Sequence, residues 1–491
     1  MPPWPSCVIL LCVPVTVRAA MRMIISESTR AVSVFSARRA LAPCLLLLAA
    51  CAAEPPPVAV GGATGQRCFH PRVIDASGAG ADGVHMGDIN GDGYADVVSG
   101  WEESGRLRVY LHPGANIGAW RRPWPSVDAG GGAALGAIED AAFVDLDADG
   151  ALDAVVSATE GMGGTRNRRI RLHRWDRDRP LAAAQSWDST VLYRDAPGDR
   201  FLAVRGAQLD GRHGADIVAL SRDLFEDPDD SARITTPGGV FLYLAPPPRQ
   251  VSVTEAWTRR RLADVHKGKS LHLLDMDADG DTDILYGGAR NIVWVENPLH
   301  EPSARPWQTH WVGTASDLAV CDINGDGNLD IVGTASRKEY PVVARWFEGI
   351  ADPSRRHRSW RAHDIRIEPP LPFRFYQSEN YSVKGIACGR MLGASGAAPD
   401  IVLTTSGSGF GLFLASAPAD FPADATAPWR AAPLVPYRWL MKYDNVLARD
   451  LDGDGDLDLV TTEENTGWLA RGAGVLWYEN RPARQDRCPA D

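Results

Sequence analysis

Residues 450–458 read DLDGDGDLD, and this nine-residue stretch recurs along the whole chain. Aspartate stands at its positions one, three, five and nine, and glycine stands at position six. Four further intact copies are DINGDGYAD (88–96), DLDADGALD (145–153), DMDADGDTD (275–283) and DINGDGNLD (322–330). Two altered copies, QLDGRHGAD (208–216) and GRMLGASGAAPD (389–400), complete a set of seven at intervals of about 60 residues.

Each copy is followed by the same succession of segments. A short apolar run comes first, then a loop of variable length, then an alternating segment such as IVWVEN (292–297) or VLWYEN (475–480). A segment that starts at tryptophan follows in six units, at Trp120, Trp187, Trp257, Trp307, Trp360 and Trp429. Period-two alternation broken by Gly, Pro and Asp is typical of β-strands. With the strand before each acidic loop, the unit has four antiparallel strands, A to D, and predicts an all-β, seven-bladed β-propeller.

The seventh unit has no clear fourth strand after VLWYEN, whereas HPRVIDA (70–76) precedes the first unit and has strand character. We predict that this segment closes the ring as the outer strand of the last blade. Cys68 and Cys488 bracket the predicted fold, so they form either a disulfide at the closure or two unpaired thiols. Cys321 and Cys388 occupy matching positions in adjacent units, as buried thiols or as a bridge, and we favour buried thiols.

The acidic loops have the chemistry of calcium sites. Calcium takes six to eight oxygen ligands, and side chains at positions one, three, five and nine with a backbone carbonyl at seven supply most of them. The loops differ from an EF-hand because they lack its Glu at position twelve and lie between strands. We predict about five structural Ca²⁺ ions and no ion in the two altered loops; the alternative is solvated acidic turns. The predicted ligands are Asp88, Asn90, Asp92, Asp96, Asp145, Asp147, Asp149, Asp153, Asp275, Asp277, Asp279, Asp283, Asp322, Asn324, Asp326, Asp330, Asp450, Asp452, Asp454 and Asp458.

Over roughly residues 68–482, these loops and the WVEN and WYEN strand ends resemble the FG-GAP/VCBS repeat family. Integrin α-subunit propellers and many exported bacterial proteins belong to that family. The resemblance implies a propeller whose blades are stiffened by structural calcium. It does not fix a function, because the family includes adhesion proteins, scaffolds and some carbohydrate enzymes.

The N-terminus has the pattern of an export signal. Arg38 and Arg39 precede the apolar run ALAPCLLLLAA, and residues 48–51 (LAAC) resemble a bacterial lipobox whose Cys51 is lipidated. The alternative is an ordinary signal peptide that is cleaved nearby. We predict a lipoprotein of the bacterial cell envelope, in the outer membrane, that meets the membrane only through this anchor. The predicted parts are a signal peptide (1–50, with translation starting at Met21 or Met23), Cys51 with a flexible tether to residue 66, the propeller (67–488) and a tail (489–491).

A candidate ligand site lies on the face opposite the calcium loops, where the connections of the seventh unit converge. Its predicted members are Lys442, Asp444, Glu463, Glu464, Asn465, Trp439 and Trp468. Three interpretations are open: a solvated, salt-bridged rim, a binding site, or acid/base chemistry on a sugar. A deep funnel that holds all the charges together would favour an enzyme, and a shallow rim would favour protein binding.

The motifs of catalysis are missing from the sequence, which has no nucleophile elbow, phosphate loop or Cys/His pair in a catalytic context. We therefore predict a non-catalytic binding or scaffold module for an unidentified protein or glycan. The alternative is a carbohydrate lyase or dehydratase that uses the same face. The formal net charge of −11 is largely that of the metal loops, and nothing in the pattern supports nucleic-acid binding.

Overall fold

The protein is seen in a computed structural model that describes most of the chain from residue 58. The described residues are 58–62, 65–120, 122–130, 135–159, 169–192, 200–222, 224–225, 234–266, 268–288, 291–298, 306–336, 339, 341–350, 352, 360–368, 382–393, 398–409, 411–435, 438–464, 472–483 and 488.

Antiparallel β-strands make up almost all of the regular structure. The first part of the chain forms β1 (Val58–Gly62), β2 (Gly65–Asp75), β3 (Ala81–Gly87), β4 (Asp96–Trp101), β5 (Arg106–Tyr110), β6 (Ser126–Asp128), β7 (Ile138–Val144), β8 (Ala154–Thr159), β9 (Ile170–Trp175) and β10 (Trp187–Val191). The middle forms β11 (Arg200–Ala207), β12 (Asp216–Arg222), β13 (Leu224–Phe225), β14 (Ile234–Thr236), β15 (Gly238–Leu244), β16 (Thr258–Val265), β17 (Ser270–Leu274), β18 (Asp283–Gly287), β19 (Ile292–Glu296) and β20 (Gln308–Gly313). The last part forms β21 (Leu318–Cys321), β22 (Asp330–Thr334), β23 (Val342–Glu348), β24 (Arg361–Arg366), β25 (Ser382–Gly389), β26 (Asp400–Gly409), β27 (Leu412–Ser416), β28 (Arg430–Pro433), β29 (Arg438–Arg449), β30 (Asp458–Glu463) and β31 (Gly474–Pro482).

Helices are few and short. They are α1 (Ile117–Trp120) and the 3-10 turns Ala184–Ser186, Pro248–Gln250 and Thr254–Ala256. Among the described residues, no helix is long and apolar enough to cross a bilayer.

Five separate four-stranded sheets follow one another along the chain. We call them blades 1 to 5, and they are β3–β6, β7–β10, β11-β12-β15-β16, β17–β20 and β21–β24. The sixth and seventh repeats share a nine-stranded sheet, because β26 extends beyond its own unit and pairs with β29. Within that sheet, blade 6 is β25–β28, and blade 7 is β29, β30, β31 and β2, with β1 outside it.

The hydrophobic core lies between the blades. The described residues form seven buried clusters, and each is shared by two consecutive repeats. The last one joins Val460 and Trp477 of blade 7 to Val97 and Trp101 of blade 1, so the ring of contacts is closed. Second strands such as β4 and β30 are buried along their whole length because a neighbour covers each face. The predicted fold class, an all-β propeller of four-stranded antiparallel blades, is confirmed.

The asparagine that ends the third strand links some blades to the preceding one. Asn480 donates from Nδ2 to the carbonyl of Met391 in blade 6, at 2.7 Å. Asn297 donates in the same way to the carbonyl of Leu209 in blade 3, at 2.9 Å. The WYEN and WVEN motifs therefore form part of the third strand and also supply an asparagine that contacts another blade.

The ring closes through β2, as predicted from HPRVIDA. This strand pairs antiparallel with β31, with Phe69 opposite Asn480 and Val73 opposite Leu476. Beside this pairing, Cys68 and Cys488 are joined by a disulfide, with their Cα atoms 5.5 Å apart. One strand from before the first blade thus completes the last blade and fastens the two ends of the propeller together.

Three expectations need correction. Residues 58–62 and 65–66 belong to the hairpin of β1 and β2, so the predicted flexible tether does not extend to residue 66. The segment VAVGG, which contains two β-branched valines, forms the edge strand β1 beside β2. Trp120 ends α1, and the fourth strand of blade 1 begins only at Ser126.

The third correction concerns Cys321 and Cys388, which are joined in a disulfide although we favoured buried thiols. Their strands, β21 and β25, are the innermost strands of consecutive blades, and the two Cα atoms lie 6.4 Å apart. That separation is within the range that a disulfide spans, so matching positions in adjacent repeats suffice to bring the two residues together.

Loss of the closure disulfide should destabilise the propeller more than loss of the bridge between blades 5 and 6. The first encloses 420 residues and the second 67, and the entropy gained by an unfolded chain on release grows with loop length. We expect Cys488→Ser to lower the free energy of unfolding by about 2–5 kcal/mol in denaturant titrations. Cys321→Ser is the matched control and should cost less; the opposite order would contradict this account of the closure.

Candidate functional site

The acidic loops are shaped by their own first carboxylate. In the first loop, Asp88 accepts hydrogen bonds from the backbone N–H groups of Gly91 at 2.7 Å and Gly93 at 2.8 Å. Both glycines have positive φ, 73° and 87°, a conformation that is easy only for glycine. The loop is thus folded tightly around its first aspartate, as the spacing of the motif requires.

The ninth-position aspartate fastens each loop to its blade. Asp96 is fully buried and accepts hydrogen bonds from the N–H of Ile89 at 3.1 Å and of His112 at 2.8 Å. It therefore joins the second residue of the loop to the end of the third strand. Asp216 makes the equivalent pair of bonds in the third repeat, whose loop has Gln208 and Arg212 at positions one and five. This position thus has a structural role of its own, and its ligation of a cation stays a prediction.

The loops differ in the charge they offer to a cation. Carboxylate oxygens of Asp145, Asp147 and Asp149 lie within 4.8 Å of one another, and those of Asp275, Asp277 and Asp279 do the same. These groups are compatible with calcium. In the third repeat, the neutral amide of Gln208 replaces the first carboxylate and accepts from the N–H of Gly211 at 2.8 Å. That loop keeps its shape although its first carboxylate is replaced, and it offers a cation less negative charge than an intact loop.

The innermost strands surround, along their length, a cavity of about 890 Å³ at the centre of the ring. All seven innermost strands contribute to it, and charged residues stand near the start of most of them. Gly83 and Gly385 follow two of these residues and allow close approach of neighbouring blades. A Cβ at either position would lie only 2.6 Å from the carbonyl oxygen of Glu139 or Asp444, respectively.

Lys384 of blade 6 is at the centre of the charged network. Its ammonium donates to Asp444 at 2.6 Å and to Glu464 at 3.1 Å, and its side chain is only 14% exposed. Burial opposes the charged form of Lys384, but Asp444 and Glu464 outweigh it and raise its pKa well above the usual value. Lys442, whose side chain is 41% exposed, also contacts Glu464. Two ammonium groups thus share one buried carboxylate.

The carboxyl groups of the network have pKa values shifted in opposite directions. Burial would raise the pKa of Asp444, but Lys384, Lys269 and Lys442 hold it well below its usual range. Burial and the charges of Asp444 and Glu464 raise the pKa of Asp82 well above its usual value. Burial and Asp444 likewise raise the pKa of Glu464 to about 8. The oxygens of Asp82, Asp444 and Glu464 lie within 4.8 Å of one another, so the site holds an ionised carboxylate beside carboxyls that favour the protonated form.

The network continues around the cavity through neighbouring blades. Lys269 of blade 4 faces Asp317 of blade 5 at 3.6 Å. Farther around, Arg205 of blade 3 donates to Asp140 of blade 2 at 2.5 Å. Burial would raise the pKa of Asp140, but Arg205 and His85 lower it to about 2. Charged side chains from different blades therefore pair across the inner ring.

The structure brings three of the predicted site residues together and separates one. Lys442, Asp444 and Glu464 join the network around Lys384. Glu463 turns away from it and accepts from the backbone N–H groups of Lys442 at 3.1 Å and Ala473 at 2.6 Å. Two adjacent residues at the end of an extended strand point to opposite faces, which explains the separation.

The remaining predicted members are Asn465 and Trp468, which lie outside the described residues, and Trp439, for which only the backbone in β29 is described. Sequence reasoning missed Asp82, Asp317 and Lys384. A signal for them existed, because each stands five or six residues before an acidic loop or, for Lys384, its altered counterpart. Comparing that position across the repeats would have revealed a ring of charges.

Replacing Lys384 should test whether the network is tightly coupled. Lys384→Met would leave the buried Asp444 and Glu464 without their shared cation, and breaking a buried pair in this way costs about 3–5 kcal/mol. The double variant Lys384→Met/Asp444→Asn should cost clearly less than the sum of the two single changes, as measured by denaturant unfolding.

Arg179→Met is the matched control, because the Arg179–Asp176 pair is exposed and its loss should cost under about 1 kcal/mol. A cost for Lys384→Met as small as that of the control would contradict the coupling.

Comparisons with known proteins agree with the repeat pattern. Residues 88–156 and 275–333 match the FG-GAP-like repeat family. A comparison with curated protein sequences finds no significant match. Solved structures are also similar to this chain, at identities too low to indicate a ligand, and three of them are described next.

The first is an Agrocybe aegerita lectin described by its recognition of non-reducing terminal N-acetylglucosamine (15% identity, 79% of this chain, 86% of that chain, TM-score 0.39). The second is the calcium structure of a Trichoderma reesei carbohydrate-active enzyme of family AA12 (10% identity, 87% and 98%, TM-score 0.40). The third is the Dos1 propeller (9% identity, 87% and 93%, TM-score 0.41).

Proposed function

We propose that this protein, a β-propeller that carries FG-GAP-like repeats, is an exported, lipid-anchored binding module whose ligand enters the central cavity. The observation that carries the proposal is the convergence of charged side chains from several blades on one cavity of about 890 Å³. That volume lies within the range of small-ligand sites and is too small for a folded partner. The ligand is therefore a glycan or a short segment of a protein.

We also propose that calcium in the five intact loops stabilises the blades. The support is the grouping of three carboxylates within 4.8 Å in the second and fourth loops and the shared spacing of the other three. Without a cation, these like charges repel one another at close range. A bound Ca²⁺ would turn that repulsion into ligation and hold each loop in its folded form.

Chelation should lower the melting temperature of the protein sharply, because each loop would regain the repulsion of its carboxylates. Excess EGTA followed by Ca²⁺ addition, read by circular dichroism, measures this effect. Elemental analysis of purified protein should find about five calcium ions per chain, given oxygen-rich loops of this kind. Asp452→Asn should reduce the calcium content, whereas Gln208→Asn in an altered loop should leave it unchanged. A melting temperature that EGTA does not change would refute structural calcium.

The proposed location is the bacterial envelope, with attachment through a lipid on Cys51. The support is the apolar run followed by LAAC at residues 48–51. Cys51→Ser should move the protein from the membrane fraction to the soluble fraction, as followed by immunoblot after ultracentrifugation. Cys44→Ser, within the apolar run, is the control and should leave attachment unchanged. Continued membrane attachment of the Cys51→Ser protein would overturn the anchor.

Ligand binding should depend on Lys442 of the charged network and not on Glu463, which lies outside the network. A glycan array and a pull-down from envelope extract should each be run with wild type, Lys442→Met and Glu463→Gln. Lys442 has an exposed ammonium in the cavity, so its replacement should reduce binding, whereas Glu463→Gln keeps an acceptor outside the network and should not. Equal binding by all three proteins would contradict the cavity as the ligand site.

A second candidate is acid/base chemistry on a bound sugar. It is favoured by the opposite pKa shifts of Asp82 and Asp444, since such pairs divide into an acid and a base. The same array experiment separates the two functions. New products detected by mass spectrometry, and absent with Asp82→Asn, would establish an enzyme; unchanged glycans would leave the binding module.

A further inference from the structure

The lysines of this chain are concentrated at the cavity. The sequence has only five, at positions 267, 269, 338, 384 and 442, and every other positive side chain is an arginine. The three that the structure describes, Lys269, Lys384 and Lys442, all line the cavity. Arginine and lysine are not interchangeable, because the ammonium is a compact charge with three freely directed donors. The described lysines of this chain thus meet at one cavity, which Arg205, Arg222 and Arg449 also line.

The three lysines differ in how far they reach into the cavity. Lys384 is enclosed by Asp444 and Glu464 and is 14% exposed, so its donors are taken up by the wall. Lys269 and Lys442 are 39% and 41% exposed. Lys269 lies 3.6 Å from Asp317, which is longer than a normal hydrogen bond. Both exposed ammonium groups thus have donors to offer to a ligand.

The rest of the wall is mixed, because apolar side chains such as Leu202, Val383 and Leu447 line the cavity beside polar ones. Ser270 and Ser316 line the cavity with Glu102 and Glu139 on the side of blades 1 and 2. Hydroxyl and carboxyl groups of this kind exchange hydrogen bonds with the hydroxyls of a sugar. Among the described lining residues, none is Phe, Tyr or Trp, so stacking on an aromatic face does not contribute there. The polar part of the wall, together with Lys269 and Lys442, suits a ligand that is rich in hydroxyls and carries negative charge.

We propose that the cavity binds an acidic oligosaccharide, whose carboxylates accept hydrogen bonds from Lys269 and Lys442 and whose hydroxyls face the serines and glutamates. This inference rests on the proposed function of the cavity as a ligand site. The acidic groups of the sugar lie towards blades 4 and 7, which carry the two lysines, and the neutral face lies towards blades 1 and 2. Lysine serves here as a point charge that donates hydrogen bonds to carboxylates in several directions.

The test is calorimetric titration with trimers that differ only in charge. Glucuronic acid trimers and cellotriose share the β-1,4 linkage, and further uronic-acid and neutral-sugar pairs extend the comparison to other linkages. We expect at least one uronic-acid trimer to bind at least about tenfold more tightly than its neutral partner, and added salt to reduce the difference. Lys269→Met and Lys442→Met should each weaken binding of the acidic trimer about tenfold.

Arg249→Met is the matched control, since it removes an exposed positive charge outside the cavity and should change nothing. Circular dichroism melts of all variants separate lost binding from lost folding, and two independent lysine variants guard against one that misfolds. This inference would be overturned if the neutral trimers bind as tightly as their uronic-acid partners, or if no uronic-acid trimer binds. Unchanged binding of the acidic trimer by both lysine variants would also overturn it. The proposed function is tested separately. It would be refuted if neither the glycan array nor the pull-down from envelope extract yields a ligand whose binding depends on Lys442.

Discussion

The pairing of β2 with β31 is the contact on which the rest of the propeller depends. A single blade cannot bury both of its faces, so each repeat is stabilised by the repeats on either side. The first and last blades have a neighbour on both sides only if they contact each other. β2 supplies the missing strand of blade 7, and its Ile74 packs in the same cluster as Trp101 of blade 1 and Trp477 of blade 7. Closure also covers the edge that β31 would otherwise expose.

A second constraint acts within every blade. The buried ninth-position aspartate ties the acidic loop to its blade, and it persists in the altered third and sixth repeats, as Asp216 and Asp400 show. The motif therefore combines two kinds of residue. Positions one, three and five shape the loop and offer charge to a cation, whereas position nine holds the blade together. The first set is altered in the third and sixth repeats, whereas the ninth-position aspartate remains in both.

The charged cavity follows from the same architecture. Innermost strands from all seven repeats converge at the axis, so a residue near the start of one strand meets its counterparts from other repeats. Lys384 lies between Asp444 and Glu464 because blades 6 and 7 are neighbours, although the residues are 60 and 80 positions apart in the chain. Such a buried network is stable only when its charges are matched, which accounts for the opposite pKa shifts of Asp82 and Asp444.

The sequence by itself determined the fold class, the repeat unit and the acidic loops, because short-range spacing recurs along the chain. It also determined the closing strand, because the seventh unit has no clear fourth strand and HPRVIDA precedes the first. It also located Lys442, Asp444 and Glu464. Only the tertiary structure decided that Glu463 leaves this group, that Lys384 and Asp82 enter it, and that Cys321 bonds to Cys388. The physical reason is that these contacts join different blades or depend on which face of a strand a side chain takes. Local spacing determines the structure of each blade, whereas the packing of blades against one another determines which residues meet in the site.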